Sequence, residues 1–478
     1  MSSPWLEDAN GTRALSARWL ITGDLITVSA CRFGGEPSTS IDMPILRVPF
    51  GNAPLLPGST LAGALRSHLA DRLVGYQADE PPIIESLFGE AKSTTVSSNR
   101  GQSPLIVFES CGILAQGTEI RDGVAIDPAS GIAANHKKFE IEVVPAGTHF
   151  PLRFELVLSL SDDEQKLLEL LIVALEAFDE GELSLGCRRS RGLGLVRTGG
   201  WRVNRFDLTT QKGWLDWLSS DPAMVNQSGQ TISTIREAFV NSWAVPKGAI
   251  QDHRVRTVFE INVALKSTLL IRSGGTHADD PDAIQLTSAG RTLLSGTSLT
   301  GALRARARRI AGWLRPTDAE EIIQSLFGPS DRAKSLKASH VRVSEQFLSE
   351  DSDSTAERIR TSRIRIDRFT QGVASGALFE EEPQYWGSFK IRLELRSVSS
   401  IEIGLLLLTL KDLMDGHLPL GGGAGIGRGL VTGNSLAVVL PDGKRYEFSD
   451  GNGSIDAIAW CDEMIGSLVD TGVRGGGN

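Results

Sequence analysis

Apolar and polar residues alternate strand-like in ARWLITGDLITVSA, and the short apolar stretches SPLIVFESCGIL, FEIEVVP and HFPLRFELVLSL read as three further strands. Between the first two, GSTLAGALRSHLADRLV places Leu61, Leu65 and Leu69 on one face behind the small residues Gly58, Ser59 and Thr60. That is the pattern of a helix with a capped start. SDDEQKLLELLIVALEAF predicts an amphipathic helix opened by Ser161. Residues 127–138 keep neither period and read as an irregular excursion. The succession then returns: FEINVALKSTLLI, a helix after Gly296, HVRVSEQ, an IDRFTQG excursion, FKIRLELRSV and SIEIGLLLLTLKDLM.

Four motifs recur in the same order. PLLPGSTLAGALRSHL at 54–69 returns as TLLSGTSLTGALRARA at 292–307, and SLFG at 86–89 returns at 325–328. VAIDPASGIAANHKKFEIEVVPAGTHF at 124–150 returns as IRIDRFTQGVASGALFEEEPQYWGSF at 364–389. LGCRRSRGLGLV at 185–196 returns as LGGGAGIGRGLV at 420–431. The offset drifts only between 235 (427 − 192) and 240 (367 − 127), so a whole domain is duplicated rather than a local device. The expected division is 16–203 for the first domain, 204–256 for a structured connector, 257–432 for the second domain and 433–478 for a hairpin and helix extension. Strands follow one another directly with helices interleaved. This order favours an antiparallel α+β sandwich of ferredoxin-like type over a doubly wound parallel sheet.

At 478 residues, each copy is long enough to bury its own core. No apolar run approaches a membrane span, and the first residues lack the pattern of a secretory signal. The four cysteines are far apart with no zinc spacing, which suits free thiols in a reducing cytoplasm. A net charge of −9 argues against indiscriminate binding of nucleic acid by the whole surface, but not against a local basic groove. Arginines gather inside the repeated motifs, while acids gather in DEGEL, SEDSDS and FEEEP.

A helix start exposes backbone N–H donors, so Gly58, Ser59 and Thr60, and Gly296, Thr297 and Ser298, are candidate phosphate cradles. Arg66 and Arg304 stand at matched positions beside them. Ordinary capping is the alternative. The glycine motifs fit neither a Walker loop nor a GxGxxG turn. With Arg188, Arg189, Arg191 and Arg428 they suggest a strip on which backbone phosphates lie. Asp127 and Asp367 read as turn-forming residues. The first excursion carries His136, Lys137 and Lys138, and the second Arg368. Upstream of each helix lies a loop carboxylate: Asp42 is sixteen residues before Gly58 (58 − 42), and the same spacing from Gly296 lands on Asp280, with Asp279 and Asp282 close by.

Taken together, these motifs resemble the backbone subunit of type III CRISPR effector complexes, in the RAMP superfamily, in a fused double-domain form of type III-D-like kind. The resemblance spans both copies but neither the connector nor the extension. It implies RRM-like domains with thumb-like hairpin insertions, stacked along guide crRNA. It also implies cleavage of complementary single-stranded target RNA by the neighbouring 2′-hydroxyl, supported by Mg²⁺ or Mn²⁺ at a loop aspartate. Asp42 matches that aspartate in the pattern ID-x-P-[VI]-x-R, with Pro44, Ile45 and Arg47 present. In the second copy the pattern degenerates, and Asp280 is the expected residue on spacing. Partners implied are guide, target and the other effector subunits, with no membrane. Two alternatives stand beside this: a non-catalytic scaffold that measures the guide, and a repeat-processing ribonuclease needing a histidine.

Overall fold

A computed structural model describes residues 14–36, 41–90, 102–127, 132–220, 231–242, 250–274, 279–329, 337–349, 357–449 and 452–469; the side chains of 135–137, 241, 242 and 357 lie outside this description. Strand β1 (Leu15–Thr27) turns Ala17, Trp19, Ile21 and Leu25 into the first core, as its alternation predicts. Helix α1 (Gly58–Val74) adds Leu61, Leu65 and Leu69, and a short helix, α2 (Ile83–Phe88), carries the SLFG motif. Then come β2 (Leu105–Val107), β3 (Glu119–Ile126), β4 (Ala133–Val143), β5 (His149–Ser159), α3 (Glu164–Asp179) and β6 (Val196–Asp207). The sheet order is β2-β5-β1-β6, every neighbour antiparallel. Helix α3 is capped by Asp163, whose side chain accepts from the Lys166 N–H, rather than opened at Ser161.

The connector joins the first core. It forms α4 (Gln211–Ser219) and α5 (Ile235–Ser242), and Ile235, Ala238 and Phe239 are buried with Trp19 and Trp201. Residue 203 therefore ends no packing unit, since β6 runs through it. Removing an aromatic from such a core costs about 3–5 kcal/mol.

The second lobe repeats the plan. Its elements are β7 (Thr257–Leu265), β8 (Ala283–Gln285), α6 (Gly296–Leu314), α7 (Ala319–Phe327), β9 (Val341–Val343), β10 (Thr361–Ile366), β11 (Val373–Glu382), β12 (Ser388–Leu395), α8 (Ser400–Met414) and β13 (Val431–Val439). The order β9-β12-β7-β13 matches the first sheet, and β14 (Arg445–Ser449) extends it. Helix α9 (Ile455–Val469) packs on α8, burying Ala457, Met464 and Leu468 in the second core. The C-terminal extension is thus part of that lobe. Among the described residues, no helix is long and apolar enough to cross a membrane.

Two hairpins project from the lobes. The arms β3 and β4 pair Gly123 with Phe139 and Val124 with Lys138. The arms β10 and β11 pair Arg363 with Phe379 and Ile364 with Leu378. Where they are described, the expected irregular excursions are therefore strand arms, 133–138 within β4 and 373–379 within β11; residues 128–131 of the first lie outside the described residues. Their period is hidden because apolar side chains such as Ile120, Val124, Ile364 and Leu378 are exposed rather than packed on a core.

Candidate nucleic-acid interface and its carboxylates

Asp42 lies in the loop between β1 and α1, and its Oδ2 accepts from the Glu140 N–H on hairpin strand β4 at 2.9 Å. Next to it, Met43 bridges Ile141 in parallel. The second lobe builds the same tie with Asp282: its Oδ2 accepts from the Glu380 N–H at 2.9 Å, and Ala283 pairs with Glu381 in parallel. Both hydrogen bonds span 98 residues. Asp282, and not Asp280, therefore stands where Asp42 stands. The count from the helix fails because the loop is two residues shorter in the second copy (296 − 282 = 14 against 58 − 42 = 16). Asp280 lies in the same loop, close enough to Arg360 to reinforce its charge, and Asp279 is exposed beside it.

The residues of the ID-x-P-[VI]-x-R pattern hold the first loop in place. Glu142 accepts from the Ile45 N–H at 3.0 Å, pairs with Arg47 and accepts from Thr118 at 2.6 Å. In the second lobe Gln285 takes over, accepting from the Ile271 N–H and donating to the carbonyls of Leu286 and Leu293. An amide that satisfies its own backbone neighbours has no need of the missing arginine.

Other expected RNA contacts fall in varied surroundings. Arg66 is held by Glu80 and donates to the Gly89 carbonyl at 2.9 Å, so it is not a free phosphate ligand. Arg304 is half-buried, and burial, followed by the nearby Arg308, pushes its pKa down. Gly58 abuts the Val107 carbonyl of its own lobe, while Ser59 lines a shallow cavity of about 270 Å³ at that helix start and Thr60 donates its N–H to the Pro57 carbonyl. Gly296 is buried against the Arg191 carbonyl of the first lobe, a contact that a Cβ would bring to 2.3 Å. The second cradle is thus taken up by the lobe junction, with Thr297 and Ser298 hydrogen-bonded to the capping Ser295 hydroxyl. Gly192 likewise packs on Glu345 of the second lobe, so this end of the first glycine strip is a joint rather than open paving. Arg189 is exposed, Arg188 stacks over Phe139, and Arg368 stacks over Phe369 at the second hairpin tip. Arg428 is buried and donates to Glu381 at 2.8 Å, so it does not face outward. Lys138 pairs with Asp122, whereas the side chains of His136 and Lys137 lie outside the described residues. Asp367 caps its tip, accepting from Thr370 and Phe369 N–H groups that hold its pKa down.

The FEEEP acids, expected apart from the arginines, pair with them across the second hairpin: Arg360 with Glu380, Arg363 with Glu381 and Arg358 with Glu382. The first hairpin reaches the second lobe. Arg121 pairs with the buried Glu345 at 2.6 Å, and Glu119 accepts from the Ala289 N–H at 2.8 Å. Asp122 of that hairpin shares an open pocket of about 560 Å³ with Asp282, Arg272, Arg363 and Glu381. No sequence signal marks Asp122, because its role depends on how one lobe meets the next.

Among the described residues, no three His, Cys, Asp or Glu side chains cluster to hold a metal. Each loop carboxylate would offer a divalent cation one protein ligand. That suits Mg²⁺ where RNA phosphates and water complete its oxygen shell.

Comparison with known proteins fits this duplicated architecture. The CRISPR system Cms endoribonuclease Csm3 of Enterococcus italicus is 32% identical over 92 residues, covering 17% of this chain and 42% of that protein. The protein of the same name from Streptococcus thermophilus is 29% identical over 169 residues, covering 33% of this chain and 74% of that protein. The sequence profile of the RAMP superfamily matches twice, at residues 24–197 and 263–432. Two lobes of one topology, each matched by that profile, place the chain in the RAMP superfamily with its domain in tandem.

Proposed function

We propose that the chain is a backbone subunit of a type III CRISPR effector complex. It lays guide crRNA along its two lobes and cuts a complementary single-stranded target beside Asp42 and beside Asp282. The observation that carries this reading is the congruent tie of each carboxylate to its own hairpin. The strand order supports ferredoxin-like, RRM-like domains, and the hairpins suit the role of thumbs. Their exposed Ile126, Ile132 and Ile366 can wedge between bases and Phe369 can stack on one, parting a duplex without reading its sequence. The relatives' names support the effector type and the ribonuclease chemistry.

In each site the 2′-hydroxyl of a parted nucleotide attacks the adjacent phosphorus in line. The 5′-oxygen departs, leaving a 2′,3′-cyclic phosphate and a 5′-hydroxyl. Asp42 or Asp282 orients the attacking hydroxyl and receives its proton, and water protonates the leaving oxygen. The hairpin N–H fixes one carboxylate oxygen so that the other points consistently. Mg²⁺ or Mn²⁺, held by the same carboxylate and by RNA phosphates, would neutralise charge at the phosphate. The second site has the first lobe's hairpin as a wall; the matching wall at Asp42 comes from a neighbouring subunit.

The rival reading is a non-catalytic scaffold that measures the guide, and product mapping separates the two. With 5′-labelled target in the assembled complex, Asp42→Ala should remove one cut and Asp282→Ala another, while Asp280→Ala keeps both and EDTA stops all. Survival of every cut in the Asp42→Ala/Asp282→Ala double variant would overturn the catalytic assignment.

A further inference from the structure

The lobes differ sharply at one matched place. In the first lobe Ile141 is buried with Ala30, Val143 and Leu193, and Met43 and Phe139 pack against them. The register puts Glu381 at the position of Ile141, since each is paired in parallel with the residue after the loop aspartate. Arg363 replaces Gly123 opposite the matched phenylalanine. Arg272 replaces Gly34, each antiparallel to the matched residue of the following strand. Arg428 replaces Leu193, and Arg365 replaces Ala125. Five glycine, alanine or aliphatic positions have become four arginines and a glutamate.

Stability does not call for this exchange, because the apolar version closes the same corner of the first lobe. A buried ion cluster is in general no more stabilising than a hydrophobic one of similar volume. The Glu381 side chain is only 5% exposed and accepts from Arg428 and Arg363, with Arg272 Nη2 at 3.6 Å. One carboxylate thus anchors three guanidinium groups. The Arg272 side chain remains 65% exposed and that of Arg363 40%, both on the wall of the pocket that holds Asp282. Arg365 lines the same wall and has no carboxylate partner among the described residues. Arg363 Nε has no acceptor among them either. The other wall carboxylate, Asp122, is paired with Lys138.

We propose that Arg272, Arg363 and Arg365 form a phosphodiester subsite beside Asp282 that has no counterpart beside Asp42. A planar fork held in place by a buried carboxylate matches phosphate oxygens in pairs. In a chain of net charge −9, such a site gives the second lobe its own local hold on an RNA strand. The inference rests on the RNA-cutting role proposed above, and its test separates the two.

The assembled complex is titrated with a fluorescein-labelled RNA complementary to the guide, over a series of KCl concentrations. The Arg272→Ala/Arg365→Ala variant should bind several-fold more weakly, with a salt slope smaller by roughly 0.7 for each phosphate that the missing guanidinium groups leave unneutralised. In product mapping, only the cut that depends on Asp282 should slow. A second variant moves the first lobe's residues across, with Glu381→Ile, Arg428→Leu, Arg363→Gly, Arg365→Ala and Arg272→Gly. It should fold and show the same selective loss. Unchanged affinity and salt slope, or equal slowing of both cuts, would overturn the subsite and leave the RNA-cutting role standing. Failure of the unaltered complex to bind RNA would overturn both.

Discussion

His68 shows how little a residue type says before its surroundings are known. It lies on α1 with a buried imidazole, and burial together with the Arg254 guanidinium pushes its pKa down to about 3 from 6.5. A group that stays neutral in such a place does not suit the acid and base work of a repeat-processing nuclease. The linkage has a definite sign. Above pH 6.5 both folded and unfolded chains carry it neutral, and its contribution is fully present. As pH falls from 6.5 toward 3, only the unfolded chain takes the proton, so stability drops by up to about 1.4 kcal/mol per pH unit. In His68→Leu the unfolding midpoint should fall less steeply between pH 7 and pH 4 than in the unaltered protein. Equal slopes would show that another group titrates. The same lesson separates Arg66 from Arg304: matched in sequence, one is neutralised by Glu80 and the other is half-buried near Arg308.

At the scale of elements, the hairpins are where burial and function part company. Phe369 is 83% exposed and Ile366 58%, so Phe369→Ser and Ile366→Ser should change folding stability by no more than about 0.5 kcal/mol. Target RNA capture by the complex should nonetheless weaken. A lowered melting temperature with unaltered capture would assign these side chains to the fold instead. The core strands and α1 were legible because burial of one face writes a period into the chain, whereas α3 and α8, buried on most sides, were legible as apolar runs too long for a strand. The outer parts of the hairpin arms were not, because water reaches much of both faces and leaves no such record; only the base of β4, within FEIEVVP, kept its alternation. Asp42 stood out as a candidate through its neighbours Pro44, Ile45 and Arg47, which belong to the same loop. Its partner did not, since a count along the chain assumes equal loops. Strand register, which points to Asp282, exists only after folding.

Across the whole molecule, the two glycine motifs read alike and behave differently. Gly192 (φ 91°) packs on Glu345 of the second lobe, where a Cβ would lie 2.5 Å from a backbone nitrogen. Gly427 (φ 82°) faces open space. Each alanine replacement meets the left-handed backbone penalty of about 1–2 kcal/mol. Gly192→Ala adds a clash that Gly427→Ala lacks, so its melting temperature should fall further. Equal losses would mean that the lobes do not meet through this turn. The joint itself is head to tail: a turn from one lobe seats on the helix start of the next. An interface of this kind uses two different surfaces; among the described residues, the matching turn Ala424–Ile426 is exposed and the matching helix start at Gly58 is half-buried beside an open cavity. Such a coupling, applied again and again, draws a screw. On the RNA-cutting role proposed above, the interval between breaks would then be dictated by the pitch of the protein, whatever letters the strand happens to spell.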